Sequence, residues 1–273
     1  MTLKQTERLN KFFNSFTEGA RPLLLLDYDG TLAPFRVNRF TARPWAGVRE
    51  LLERIQRRGM TRMAMITGRP AEEIAPLLGL DQQLEVWGLH GAERLYPDGR
   101  RELEQAPAAV QAKLEELRAL LQRDPLGGLF EDKANAVVMH WRGRSRRQAE
   151  QIERRTRALF EPLAQMKGLT LLDFDAGLEL RAGRNKGGAV EAILVEADAR
   201  APAAYLGDDL NDEAAFQAVN SLGPRGLSIL VRRQSRATAA ELWLRPPAEL
   251  KKFLERWIAA GGAEKLLPMN DRR

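Results

Sequence analysis

The chain has 273 residues, no cysteine, two histidines, and 43 Lys+Arg against 37 Asp+Glu, for a formal charge of +6. This exclude disulfide scaffolds, thiolate nucleophiles, Cys-ligated zinc or iron–sulfur sites and multi-histidine metal centres. At 44% hydrophobic and 29% charged residues the composition is that of a folded globular protein, and no apolar run approaches the ~18 residues of a membrane span.

Residues Met1 to Phe16 read as polar and helical, without the apolar core or small-residue cleavage site of a secretory signal, so a soluble, cytoplasmic protein is expected. Leu23-Leu24-Leu25-Leu26 is a short, fully apolar run followed by a loop, the pattern of a buried parallel strand. Val48, Leu51, Leu52 and Ile55 fall at i, i+3, i+4 and i+7, one face of a helix that Gly59 ends. Met63 to Ile66 is the next strand, with Pro70 suited to the first turn of the helix after it. A strand–helix–strand unit of this kind makes its strands parallel neighbours. The same alternation returns late in the chain. A helix spans Lys186 to Val195, a strand Ala203 to Leu206, a helix Asp212 to Val219 and a strand Leu227 to Val231. Leu250, Phe253, Leu254, Trp257 and Ile258 form the apolar face of a final helix, and the tail from Lys265 to Arg273 is expected to fray.

The middle of the chain reads differently. Val110, Leu114, Leu117 and Leu121 mark a long helix, and Pro125 to Gly128 is a break. Ala136 to Trp141 alternates as a strand, and Ile152, Leu159 and Leu163 mark a charged helix. Leu169 to Phe174 and Leu178 to Arg181 read as antiparallel strands joined by a turn at Asp175-Ala176-Gly177. The expected architecture is therefore α/β. A Rossmann-like core of residues 1–104 and 183–273, with a parallel sheet flanked by helices, is interrupted by a small α+β insert at 105–182.

Asp27-Tyr28-Asp29-Gly30-Thr31-Leu32 follows the first strand directly. Carboxylates at i and i+2 beyond the carboxyl end of a parallel strand sit where open α/β sheets bind ligands. Asp27 is placed to attack a phosphorus atom and Asp29 to supply and remove protons, while Gly30 lets the chain turn away. The same residues also make an ordinary Asp–Gly turn. Gly207-Asp208-Asp209-Leu210-Asn211-Asp212 follows a later strand, and carboxylates so crowded repel unless a cation lies among them. Hard oxygen ligands suit Mg²⁺, although an acidic loop also caps a helix. Thr67-Gly68-Arg69 opens a helix after the second strand, as an anion site or as a simple cap by Thr67. Lys186 heads a helix where its charge opposes the dipole, so it either neutralises a phosphate and the nucleophile or lies on the surface.

These segments, in this order and all at strand ends or helix starts, resemble the four motifs of the haloacid dehalogenase-like phosphatases. The chain is more narrowly similar to the trehalose-6-phosphate phosphatases. That likeness rests on Leu26 to Pro34, Gly88-Leu89-His90-Gly91-Ala92-Glu93, Gly177-Leu178-Glu179-Leu180-Arg181 before Lys186-Gly187, and Gly207 to Glu213. It runs from about Leu23 to Leu254, with the insert where that family carries its cap. One departure is Asn211, where the family usually has Thr and related sugar phosphatases have Asn.

The resemblance implies two-step phosphoryl transfer through an aspartyl phosphate on Asp27, with Asp29 as acid and then base. Thr67, Gly68 and Lys186 would bind phosphate. Asp27, Asp208 and the carbonyl of Asp29 would hold Mg²⁺, with Asp209 and Asp212 ordering its waters. In the cap, Glu131 and Lys133 (on one face of an extended segment) and Glu179 would contact the sugar. His90 reads as a turn residue, since Asp29 already fills the acid–base role.

The implied activity is hydrolysis of trehalose 6-phosphate to trehalose and phosphate in trehalose biosynthesis. The alternatives are another phosphorylated sugar, such as glucosylglycerol phosphate or sucrose phosphate, and a non-catalytic sugar-phosphate sensor. The retained Asp27 and Asp29 speak against the sensor. The dense basic run Arg142, Arg144, Arg146 and Arg147 reads as a solvated loop, with too few aromatics beside it for base stacking. The expected partner is a small sugar phosphate, with no nucleic acid and no membrane, and a monomer is favoured.

Overall fold

The computed structural model describes residues 3–16, 21–125, 127–133, 135–174 and 176–261. Met1 and Thr2, Leu126 in the expected break, Asp175 in the expected turn, and the tail expected to fray lie outside the described residues. The chain divides into two compact units, Met1–Leu103 with Asn185–Arg273 and Glu104–Arg184.

The first unit begins with α1 (Leu3–Asn14), β1 (Leu23–Leu26), α2 (Val48–Arg57), β2 (Arg62–Ile66), α3 (Ile74–Leu78), β3 (Glu85–Gly88), β4 (Glu93–Leu95) and β5 (Arg101–Leu103). The second unit contains α4 (Ala108–Arg123), β6 (Phe130–Lys133), β7 (Ala136–His140), α5 (Arg146–Ala164), β8 (Leu169–Phe174) and β9 (Gly177–Ala182). The chain then returns through α6 (Lys186–Glu196), β10 (Ala203–Gly207), α7 (Glu213–Asn220), β11 (Gly226–Val231), β12 (Leu242–Leu244) and α8 (Ala248–Ala260).

The sheet of the first unit runs β12-β11-β10-β1-β2-β3-β4-β5. Its pairings are parallel from β12 to β3, and β4 and β5 are added antiparallel at one edge. The unbroken apolar runs follow from this layering. Leu24 and Leu26 join one core cluster with α2 and α8, while Leu23 and Leu25 join another with α6 and α7. A strand covered on both faces has no position left for a polar side chain. From β1 the chain moves outward to β2 and β3, then returns to place β10 on the other side of β1. The order reverses between β1 and β10, which opens a crevice at their carboxyl ends.

In α1, Leu9, Phe12 and Phe13 are buried at i, i+3 and i+4. Phe12 and Phe13 lie with their ring centres 5.9 and 6.2 Å from Trp257 of α8. The polar reading of this segment thus hides an apolar stripe. Glu85 is buried in β3 because it accepts from both Arg62 (2.9 and 2.9 Å) and Arg94 (2.7 Å) and from the Trp87 indole. The same two arginines also donate to Glu196 at the end of α6, fastening that helix to β2 and β4. Burial pushes the Glu85 carboxyl up, but the hydrogen bonds and charge of Arg62 more than offset this and hold it below its ordinary value.

The second unit is an antiparallel sheet, β6-β7-β9-β8. One face presents Val137, Met139, Leu178 and Leu180 to Val110, Leu114, Leu117 and Leu121 of α4 and Ile152 and Phe160 of α5. Ser145 starts α5 through a reciprocal capping box with Gln148, so the basic run 142–147 ends in a helix start. Among the described residues, no helix is long and apolar enough to cross a membrane.

Candidate active site

Asp27 and Asp208 directly follow the neighbouring strands β1 and β10, and both are nearly buried, at 3% and 7% exposure. One carboxylate oxygen each from Asp27, Asp208 and Asp212 lies within 4.8 Å of the others. Lys186, the first residue of α6, sends its ammonium into this group, donating to Asp27 Oδ1 at 2.6 Å and Asp212 Oδ1 at 2.7 Å. The lysine reaches so far because α6 packs tightly at its start. A Cβ at Gly187 would stand 2.8 Å from that of Ala214 and 2.9 Å from its carbonyl. Thr31 completes the setting of Asp27 by donating to Oδ2 at 2.9 Å.

The turn after β1 is closed by the N–H groups of Leu32 and Ala33 on the Tyr28 carbonyl, and by Gly30 N–H on Ala33. Gly30 has φ +82°, and a Cβ there would overlap the Asp208 carboxylate at 2.0 Å. Glycine at this position therefore makes room for Asp208 as well as for the turn.

Asp29 is 27% exposed at its side chain and accepts both forks of the Arg69 guanidinium, at 2.6 and 2.7 Å. Arg69 is the third residue of the Thr-Gly-Arg segment, and sequence reasoning assigned it no role. The signal available was its place one residue before Pro70, at a loop facing the first strand end. Thr67 is buried, and its hydroxyl accepts the Arg69 N–H at 3.2 Å, which leaves its proton to donate. Gly68 lies under the His90 ring, with His90 at φ +60° in the turn after β3.

Asp212 closes the base of the site. Its Oδ2 accepts the N–H groups of Asp208 and Asp209, each at 2.9 Å. Its Oδ1 accepts Tyr205 at 2.6 Å as well as Lys186. Asp209 reciprocates by capping the short turn that leads into α7. Asp27, Asp29, Thr67, Gly68, Lys186, Asp208, Asp209 and Asp212 all belong to the first unit.

The charges do not balance by themselves. Three carboxylates against one ammonium leave two negative charges in excess when all are ionised. Burial, opposed by Lys186 and aided by the Asp212 charge, pushes Asp27 up to about 7. Burial and the neighbouring Asp27 and Asp212 push Asp208 to about 9. Burial disfavours the Lys186 charge, but Asp212 and Asp27 outweigh it and hold the group well above its ordinary value. Among the described residues no protein donor reaches the Asp208 carboxylate. A buried, hard-oxygen cluster with surplus negative charge and an unpartnered carboxylate fits a divalent cation such as Mg²⁺.

A pH dependence follows. The metal-free folded protein holds the protons of Asp27 and Asp208 more tightly than the unfolded chain does. Their ionisation therefore removes stability as pH rises from about 4 through 7 and 9. A cation that replaces those protons restores what is lost, so the rise in melting temperature on adding Mg²⁺ should be larger at pH 8.5 than at pH 5.5. Thermal melts in Mg²⁺ and in chelator check this, and a larger increment at the lower pH contradicts it.

In the second unit, the register aligns Glu131, Val138 and Glu179 across β6, β7 and β9, and likewise Lys133, Ala136 and Arg181. Glu131, Lys133, Glu179 and Arg181 thus share the sheet face opposite to Val137 and Leu180. Lys133 Nζ lies 3.5 Å from Glu179, which also accepts Arg181 Nε at 2.8 Å, and His140 lies 3.0 Å from Glu131. Arg181 ended the Gly177–Arg181 segment in the sequence but was given no role there, although its i+2 spacing from Glu179 in a strand was the available sign.

A parallel core sheet with Asp27 and Asp208 at adjacent strand ends, Lys186 joining Asp27 to Asp212, and an antiparallel-sheet insert defines the haloacid dehalogenase-like class. In that class the second unit is the cap domain. A phosphatase of this superfamily from Bacteroides thetaiotaomicron has a similar fold, with TM-score 0.62 at 17% identity over 90% of this chain and 98% of that one. The Aspergillus fumigatus trehalose-6-phosphate phosphatase matches with TM-score 0.72 at 24% identity, over 95% and 98%.

The profile of the family described as Trehalose-phosphatase matches residues 25–247, and the chain belongs to that family. The trehalose-phosphate phosphatase of Mycobacterium marinum is 32% identical over 251 residues, which cover 86% of this chain and 61% of that protein. The chain spans about three-fifths of the length of the curated relatives it matches.

Proposed function

We propose that the protein is a Mg²⁺-dependent phosphatase that hydrolyses trehalose 6-phosphate to trehalose and phosphate through an aspartyl phosphate on Asp27. The observation that carries this reading is the convergence of Asp27, Asp208, Asp212 and Lys186 in one buried cluster, with Asp29 two residues beyond the nucleophile. Two unit charges ~4 Å apart repel by about 4 kcal/mol at an effective dielectric near 20, so a bare carboxylate approaching a phosphate dianion needs compensation. Lys186 supplies part of it directly on Asp27 Oδ1, and Thr31 fixes the other oxygen.

Asp27 attacks phosphorus while Asp29 gives a proton to the departing sugar oxygen. Asp29 then takes a proton from the water that attacks the aspartyl phosphate. Both Asp29 oxygens rest on Arg69, so that pair must loosen to admit the proton. Thr67 and Gly68 offer a hydroxyl and a backbone N–H for phosphate oxygens from the loop after β2, since the helix expected to open there begins only at Ile74. Asp27, Asp208 and the Asp29 carbonyl would hold Mg²⁺, with Asp209 and Asp212 ordering its waters. When bound, the cation offsets the negative charge of phosphate and carboxylates.

Family membership and the names of the relatives support the trehalose moiety. In the cap, Glu131, Lys133 and Glu179 offer charged acceptors and donors on one sheet face for sugar hydroxyls. The protein would work in the cytoplasm on a small soluble substrate, as a monomer. Phosphate release should be measured on trehalose 6-phosphate, sucrose 6-phosphate, glucosylglycerol phosphate and glucose 6-phosphate, each with and without Mg²⁺. The reading expects kcat/KM for trehalose 6-phosphate to exceed the others by about 100-fold, because a site built to hydrogen-bond hydroxyls rejects partners that lack them. Preference for another sugar, or equal rates without Mg²⁺, overturns it.

A further inference from the structure

We propose that Tyr205 is a positioning residue whose hydroxyl sets how Lys186 is shared between Asp212 and Asp27. Tyr205 stands in β10, fully buried, with its ring against Phe216 at 5.6 Å between centres. Its hydroxyl donates to Asp212 Oδ1 at 2.6 Å, the same oxygen that takes Lys186 at 2.7 Å. The other Asp212 oxygen already accepts two backbone N–H groups.

Asp212 is therefore held by four donors, and only one of them, Lys186, also serves Asp27. The consequence is a competition for one ammonium. A buried carboxylate oxygen that loses a donor draws more strongly on the donors that remain, because there is no water to replace the missing bond. With the Tyr205 hydroxyl in place, Oδ1 is satisfied from two directions, and Lys186 can sit 2.6 Å from Asp27. Without it, Asp212 claims the ammonium and Asp27 loses its nearest positive charge. The Tyr205 hydroxyl is fully buried and directed at Asp212 Oδ1, to which it donates. The phenol touches neither substrate nor the reacting atoms. It acts only through Asp212 and Lys186.

This inference rests on the phosphatase reading for its kinetic consequence but not for its structural one, and the experiment separates the two. Tyr205→Phe removes a single oxygen and keeps the ring. Phe216→Leu removes the neighbouring ring and keeps the hydroxyl bond, so it serves as the control for packing. In metal-free protein labelled with ¹⁵N-lysine, the buried Lys186 ammonium should give a slowly exchanging signal, assigned by its loss in Lys186→Met. Tyr205→Phe should shift that signal and speed its exchange, whereas Phe216→Leu should leave it in place while lowering the melting temperature. On trehalose 6-phosphate with saturating Mg²⁺, Tyr205→Phe should lower kcat by about tenfold with KM within twofold, the pattern of an interaction expressed in the chemical step. Phe216→Leu should keep kcat. If the wild type releases no phosphate from any sugar phosphate while the ammonium signal responds as described, the functional reading fails and the positioning role stands. If the wild type is active, and Tyr205→Phe changes neither kcat nor the ammonium signal, or Phe216→Leu reproduces its effects, the positioning role is overturned.

Discussion

Asp27→Asn is expected to lower Mg²⁺-dependent phosphate release by about 10⁴-fold or more, the scale on which loss of a covalent nucleophile acts. The amide nitrogen and oxygen cannot form the mixed anhydride that splits the reaction into two steps. The variant should nevertheless stay folded. Asp27 is one of three clustered carboxylates, and its own carboxyl is pushed up chiefly by burial, with the Asp212 charge adding to it. Removing that charge relieves repulsion, while Lys186 keeps Asp212 as a partner. Melting in chelator should therefore occur at the wild-type temperature or above it. Substantial residual turnover contradicts a nucleophilic role, and a large drop in melting temperature contradicts the charge argument.

The largest effect on stability is expected from Lys186→Met. The ammonium is 5% exposed and lies between two carboxylates that are 5% and 0% exposed. Removing one member of a buried ionic group typically costs about 3–5 kcal/mol, because the remaining charges stay desolvated and unpaired. Lys186 has its folded value raised above the unfolded one, so its contribution is fully present below about pH 10 and is lost only above that. The abandoned Asp27 behaves oppositely. Its ionisation is the costly state, so the penalty should be near its full size at pH 8 and shrink toward pH 5 as Asp27 takes up its proton. Urea unfolding of wild type and variant in chelator at both pH values measures this. A penalty under about 1 kcal/mol at pH 8, or one that grows as pH falls, contradicts it.

Much of the core was legible because a strand buried on both faces must be apolar at consecutive positions. Leu23 to Leu26, Met63 to Ile66, Ala203 to Leu206 and Leu227 to Val231 all carry that pattern, and the chemistry-bearing residues follow such runs directly. The edge strands were not read. Glu93–Leu95 and Arg101–Leu103 contain Glu93, Arg94, Arg101 and Glu102, and their place in the sheet comes from side-chain pairs such as Arg94 with Glu85 and Glu196. Such pairs join residues 9 and 102 positions apart, outside any helix or strand period, so no local pattern announces them.

The same reason hid parts of the site. Lys186 at the head of a helix was open between a surface residue and a buried cation. The choice turns on Asp27 and Asp212, which lie 159 and 26 positions away. Arg69 on Asp29, 40 positions apart, is likewise a product of strand adjacency rather than of spacing. Tyr205 fell inside the strand expected at Ala203 to Leu206 and had no role there, since its hydroxyl finds its acceptor only when the loop after β10 folds back on it.

Asp27 is proposed to carry the phosphoryl group, and trapping it there is the direct test. Enzyme mixed with phosphorylated sugar and Mg²⁺, quenched in acid within the first turnover and digested, should yield the peptide containing Asp27 with the mass of one added phosphoryl group. The modification should be absent in Asp27→Asn and in samples without Mg²⁺. A phosphoryl group found on another residue, or phosphate released with no modification of Asp27 at any quench time, contradicts the account.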